Sequence, residues 1–430
     1  METSFISTWE ETKDRELRPR VRELARAAPV RSVQTTVCAR TAQYRESAPT
    51  ALGKGLGQDV ASMVFEGFYT DRRVLVTGDT GFKGSWLCLW LAGLGSAVVG
   101  YGLPTPSESR RTNFDACEVS ELIAHIDGDV LNAGEVMRVV DQVDPEVIFH
   151  LAGQPLLLAA LHEPVHTFAV NVMGTANVLE AARCNRGTRA VVVVTSDKCY
   201  RNRSWVWGYR ETDELGGDDP YCASKACAEF VTMAYRGLNA TAHPAIASAR
   251  AGNVVGGGDW SPGRLIPDVA RALSGGASVA LRAPNSIRPW QHVLEPLSGY
   301  LLLGSELSSG SGRFATAWNF GPTSAPRMTV LQIATAFLER FDAVESMCPT
   351  VTDSDSAAVE SPMLWLSSEK AQTELGWDSV WSVNEMLDAT AEWYEAHLRD
   401  PKANLRDLIF KQIDRYCRIA KDRGLRWAGA

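Results

Sequence analysis

The chain has 430 residues, 45% of them hydrophobic and 22% charged, with a formal net charge of −8. That length predicts two or more domains of a soluble globular protein, and the acidic balance speaks against a nucleic-acid binder, which would carry a basic face. Nine scattered cysteines, an odd number with no C-x-x-C pair, fit a reducing, cytoplasmic setting and offer neither a disulfide framework nor a zinc site.

Residues 1–62 stand apart. They are rich in Arg, Ala, Ser and Thr, and no apolar run follows the charged stretch to make a secretory signal. Residues 9–28 read as a charged helix, while 30–62 shows no period and is expected to be disordered. Met63 opens "MVFEGFYTDRRVLVTG", which reads as the start of a domain. Residues 1–62 are therefore expected to be a disordered or non-native extension.

From Val74 the chain alternates. Apolar, β-branched runs at 73–78, 97–103, 146–153, 190–196 and 245–252 predict strands, with one more ahead of "HIDGDV". Helical patterns lie between them at Phe82–Leu94, Ala133–Gln142, Pro164–Arg183 and Tyr221–Gly237. The expected fold is α/β: a Rossmann-type, doubly wound parallel sheet over 63–252. Beyond 253 the pattern turns irregular and then helical (329–341, 384–398). That predicts a smaller C-terminal substrate-binding domain over 253–400, with 401–430 as a helical tail. The stretch Trp86–Leu103 has the length of a membrane span, but Gly93, Gly95 and Ser96 interrupt it. A buried helix followed by a buried strand is expected, and no membrane.

"VLVTGDTGFKGSW" follows the first strand and places Gly78, Gly81 and Gly84 at G-x-x-G-x-x-G, leading into a helix. Glycines admit a pyrophosphate close to the backbone, and the helix N-terminus offers free N–H groups. The candidate cofactor residues are Gly78, Thr80, Gly81, Phe82 and Gly84, with Asp129 as an adenine contact. A Walker A loop would need Gly-Lys-Ser, whereas Lys83, Gly84 and Ser85 stand in the order Lys-Gly-Ser. The second strand ends without an acid for the adenosine ribose, so this pattern alone leaves NAD and NADP both open.

"VVTSDKCYRN" delivers Ser196, Asp197 and Lys198 at the end of an apolar run, and "PYCASKACAEF" sets Tyr221 and Lys225 on one helical face. Ser196 and Tyr221 can both address a substrate hydroxyl. Lys225 can lower the Tyr221 pKa by placing positive charge nearby, so that tyrosinate takes a proton as hydride leaves. An isolated Asp197/Lys198 pair reads as a salt bridge at a strand end; inside this constellation it reads as chemistry. "HEPVH" (His162–His166) matches a zinc-protease signature. Pro164 belongs at a helix start, which takes His162 off the face of His166, so no metal is expected.

These motifs, together with "WVWGYRE", "RAGNVVGGGDW", "RLIPD" and "SIRPWQHVLEPLSGY", resemble the extended short-chain dehydrogenase/reductase family over roughly 63–400. Within it they resemble the branch of nucleotide-sugar 4,6-dehydratases that act on CDP-glucose. The resemblance implies NAD, with Ala152, Gly153 and Asn171 on the cofactor side. It implies CDP-glucose as substrate, oxidised at C4, dehydrated across C5 and C6, and reduced at C6 by the returning hydride. It further implies Asp197 as the acid and Lys198 as the base. To accept a proton Lys198 has to be desolvated or set beside a cation; otherwise it would act as a cation on the enolate. Gln154 and Asn253 are then substrate contacts, and Arg264 and Arg288 are candidates for the substrate pyrophosphate. A homo-oligomer, dimer or tetramer, is expected. The competing readings are another 4,6-dehydratase or a 4-epimerase, with GDP-mannose or dTDP-glucose as substrate, and a non-catalytic NAD-binding regulator.

Overall fold

The computed structural model describes residues 56–105, 112–238, 244–276, 278–310, 312–323, 326–345, 347, 349–351 and 363–429. The charged helix expected at 9–28 and most of the aperiodic stretch after it lie outside these residues. Each apolar run becomes a strand of one parallel sheet. The strands are β1 (Arg73–Thr77), β2 (Ala97–Gly102), β3 (Ala124–Asp127), β4 (Val147–His150), β5 (Ala190–Val194), β6 (Ala245–Arg250) and β7 (Ala317–Asn319). Their spatial order is β7-β6-β5-β4-β1-β2-β3, with Leu75 in register with Val99 on one side and Ile148 on the other. The runs are continuous rather than alternating because helices cover both faces; Val191, Val192 and Val193 are all buried. The order reverses between β1 and β4, so a crevice opens there beyond the strand ends, where such sheets bind ligands.

The helices used below are α1 (Gln58–Met63), α2 (Phe82–Gly93), α3 (Ala133–Val143), α4 (Leu157–His162), α5 (Pro164–Phe168), α6 (Thr175–Cys184), α7 (Pro220–Leu238), α8 (Leu265–Gly275), α9 (Leu294–Ser308), α10 (Val330–Glu339), α11 (Val383–Arg399) and α12 (Arg406–Asp422). The apolar stretch Trp86–Leu103 divides as expected into α2 and β2, and α2 is buried from Gly84 to Leu91. No helix among the described residues is long and apolar enough to cross a membrane. The helix expected at Pro164–Arg183 contains a π segment, Ala169–Gly174, between α5 and α6. Such segments concentrate at functional sites, and this one carries Asn171.

Packing crosses the expected boundaries at three places. The ordered body starts before Met63: α1 precedes it, and Leu56 and Val60 are buried in the main core. These two residues, four apart, form one apolar face on a single turn, too short to register as a period. The sheet does not end at 252. Strand β7 pairs with β6, and α9 packs against β4, β5 and β6. Residues 401–430 are helical as expected, and α12 buries Ile409, Ile413 and Tyr416. Its Tyr416 ring lies 5.9 Å from Trp90 of α2, and Trp427 stacks on Phe65 at 5.2 Å.

Candidate active site

The loop after β1 turns at Gly78, where φ is +74° and a Cβ would stand 2.7 Å from the Ala152 nitrogen. Only glycine allows the loops after β1 and β4 to approach this closely. The N-cap of α2 is Gly81, which has no side-chain cap, so the first N–H groups of the helix are free for an anion. Thr80 braces the loop by donating to the Leu103 carbonyl at 2.8 Å. Asp129 accepts from the Leu131 N–H at 2.9 Å. This cradle opens into a cavity of about 740 Å³, and the residues fit a dinucleotide.

Every expected site residue except Asn171 lines that one cavity. Asn171 is buried behind its wall. Its Oδ1 accepts from the Gln154 N–H at 2.9 Å, and its Nδ2 donates to Gln154 O at 3.1 Å and to Ser224 Oγ at 2.8 Å. It therefore ties the loop after β4 to α7. Gln154 lines the cavity, but its side-chain amide is engaged with its own loop and α5: Nε2 donates to Leu156 O and to Thr167 Oγ1 of α5, and Oε1 accepts from Leu156 N.

The end of β5 and the start of α7 bring the reactive groups together. Ser196 is the N-cap of a short turn, and its hydroxyl donates to Asp197 Oδ1 at 3.0 Å. Asp197 is 2% exposed, and its other oxygen has no hydrogen-bond partner among the described residues. A Cβ at Gly252 would stand 1.9 Å from that oxygen, so the glycine after β6 makes room for the carboxylate. Among the described residues Asp197 and Lys198 form no ion pair, and the salt-bridge reading of the pair fails. Burial pushes the Tyr221 phenol up to about 12, against the pull of the Ser196 hydroxyl and the Arg264 charge. The expected help from Lys225 is not among the leading influences on Tyr221; burial lowers Lys225 itself to about 8.

A buried network holds the ends of these strands in place. Glu229, one turn past Lys225, receives Arg250 Nε at 2.9 Å and Nη2 at 2.7 Å. It also accepts from Thr195 Oγ1 at 2.5 Å and Ser248 Oγ at 2.7 Å. Burial would raise its pKa, but the Arg250 charge and these hydrogen bonds hold it below the usual carboxylate value.

On the opposite wall Arg264 pairs with Asp259 at 2.9 Å, and Arg288, buried, donates to the Ile287 carbonyl at 3.0 Å. Asn253 adopts φ +47° at the rim. Four charged cavity residues were not among the expected site residues: Lys83, Asp259, Asp268 and Arg282. Only Lys83 left a signal, as the misplaced lysine of a Walker-like loop. His162 ends α4 and His166 lies in α5, with Pro164 at the first position of α5. No group of metal-ligating side chains is present among the described residues.

Residues 75–390 match the family model described as GDP-mannose 4,6 dehydratase. The chain belongs to this family. The CDP-glucose 4,6-dehydratase of Salmonella typhimurium is 41% identical over 345 residues, 78% of this chain and 94% of that protein. Among solved structures similar to this member of the family is DesIV, a dTDP-glucose 4,6-dehydratase from Streptomyces venezuelae with NAD and TYD bound. It has a TM-score of 0.65 and 24% identity, covering 76% of this chain and 99% of that one. The UDP-glucose 4-epimerase of Thermotoga maritima with UDP-glucose also has a TM-score of 0.65, at 20% identity, again covering 76% of this chain and 99% of that one. At these identities the two structures speak to the fold the family shares.

Proposed function

We propose that this chain is a CDP-glucose 4,6-dehydratase that uses NAD and regenerates it in each turnover. The observation that carries the reading is Asp197: a buried carboxylate beside Ser196, with one oxygen unpartnered among the described residues, in a cavity shared with Tyr221, Lys225 and Lys198. A 4-epimerase needs only the Ser/Tyr/Lys set. The choice of CDP-glucose over other nucleotide sugars is supported by the 41% identity to the Salmonella enzyme.

When bound, NAD accepts the C4 hydride and later returns it to C6. The cradle of Gly78, Gly81 and Gly84 would hold its pyrophosphate. Tyr221 takes the O4 proton, with Ser196 orienting the hydroxyl and the Arg264 charge lowering the cost. Once C4 is a ketone the C5 proton is acidic. Lys198 takes that proton, Asp197 protonates the departing C6 hydroxyl, and Lys198 gives its proton back to C5 as the hydride returns to C6. Arg264 and Arg288 face the substrate pyrophosphate. The test is a panel of CDP-, dTDP-, UDP- and GDP-hexoses analysed by mass spectrometry. Loss of one water from CDP-glucose is expected; isomerisation without mass loss, or dehydration of a different sugar only, would overturn the assignment.

We also propose a homo-oligomer in a reducing cytoplasm. The cysteines Cys88, Cys117, Cys184, Cys199, Cys222, Cys227 and Cys417 are free thiols. Leu161, Val165, Phe168 and Met173 on the α4–α6 run, with Phe230 and Met233 on the neighbouring α7, expose large apolar side chains, the kind of surface that a second copy can cover. Light scattering should give a multimer, with Val165→Glu shifting the mass toward one chain; a monomeric wild type would contradict this.

A further inference from the structure

Lys83 sits in the first turn of α2, in the glycine loop, and lines the same cavity as the phosphate cradle. Its ammonium stands 5.9 Å from the ring centroid of Tyr300, on α9 beneath β5 and β6, within the range of a cation–π contact. Lys83 and Asp197 line the same cavity. Among the described residues the ammonium has no hydrogen-bond or ion-pair partner, and it lines the main cavity.

The charged groups whose fields act on it are Arg264 at the start of α8, Lys225 of α7, and the carboxylates of Asp197 and Asp259; Tyr300 of α9 lies within cation–π range. Two cations, burial and the positive end of a helix all disfavour charge on this lysine. Two carboxylates favour it. Burial and the Arg264 charge prevail and lower Lys83 to about 7. Such a group can hold or release a proton near neutral pH.

Asp197 needs that service. As the acid of the elimination it has to carry a proton when the C6 hydroxyl departs. Its Oδ1 is occupied by the Ser196 hydroxyl, while Oδ2 is buried and unpartnered among the described residues. Tyr300 Oη nearby is likewise buried without a partner there.

We propose that Lys83 is a further residue of the dehydration half-reaction, supplying the proton that Asp197 delivers to the leaving hydroxyl. The proposal rests on the dehydratase reading of the same site. An N–H bond of Lys83 breaks as Oδ2–H forms, directly after a swing of the flexible side chain or through one water. The Oδ2–H bond then breaks as O6–H forms and C6–O cleaves, releasing water. Lys83, left as a neutral amine, regains a proton from solvent. Tyr221 gives solvent the proton it took from O4, so the turnover is proton-neutral. Lys83 acts through Asp197 and does not itself touch the sugar.

The test uses the full chain loaded with NAD, in single turnovers with CDP-glucose. Lys83→Met should oxidise C4 normally and then stall, with NADH absorbance persisting and elimination slowed about 100- to 10,000-fold. Lys83→Arg keeps the charge but holds its proton, and should stall at the same stage. In the wild type, elimination should weaken as pH rises through about 7, and this limb should vanish in Lys83→Met. Normal elimination in Lys83→Met, recovery in Lys83→Arg, or an unchanged pH limb would each overturn the proposal. If the variants do not fold, competitive acetylation of the wild type, mapped by peptide, reads the Lys83 titration directly; an ordinary lysine midpoint would sink it. Absence of any NADH transient or product in the wild type would instead reject the dehydratase reading.

Discussion

Lys198→Met is expected to stop the reaction halfway. The substitution keeps the length of the side chain and removes its basicity. Lys198 lines the cavity and has no ion-pair partner among the described residues whose loss would disturb the fold. C4 oxidation depends on Tyr221, Ser196 and Lys225 and should proceed. The C5 proton then has no acceptor, so a 4-keto sugar and enzyme-bound NADH should build up. A general base contributes about 100- to 10,000-fold, and elimination should slow within that range. Tyr221→Phe should behave differently, with no NADH signal at all. Stopped-flow absorbance separates the two. Near-normal dehydration by Lys198→Met would mean that the C5 proton leaves by another group.

Glu229→Gln should destabilise the fold more than any change at the cavity surface. Arg250 is 2% exposed, and Glu229 is fully buried beneath it. Removing one partner of such a pair leaves an uncompensated buried charge, at a cost of about 3–5 kcal/mol. Thermal melting should show a drop of several degrees, and Glu229→Gln/Arg250→Met should recover part of it. Turnover should fall as well, because Glu229 also holds Thr195, the neighbour of Ser196. An unchanged melting temperature in the single variant would show that the network contributes little.

Much of this was legible in the sequence because backbone demands restrict residue choice. Strands buried on both faces have to be continuous apolar runs, and Val191, Val192 and Val193 of β5 could be little else. Gly78 was legible because a Cβ there would strike the Ala152 backbone. Tyr221 and Lys225 were legible from helical spacing, whereas the roles of Asp197 and Lys198 came only with the family resemblance. What stayed hidden depends on tertiary contacts. Strand β7 is three residues, "AWN", too short to carry a period. Helix α1 is six residues with only one apolar face. The three hydrogen bonds by which Asn171 joins Gln154 to Ser224 are likewise set by tertiary packing. The aim of Lys83 is set by Tyr300, more than two hundred residues away, and no local pattern predicts it.

The central claim is that hydride leaves C4 and comes back to C6 of the same sugar, with water lost in between. CDP-glucose carrying deuterium at C4 tests it most directly. The account predicts a dehydrated 4-keto product with the deuterium at C6 and no net NADH. Deuterium retained in accumulated NADH, or a product with deuterium still at C4, would contradict it.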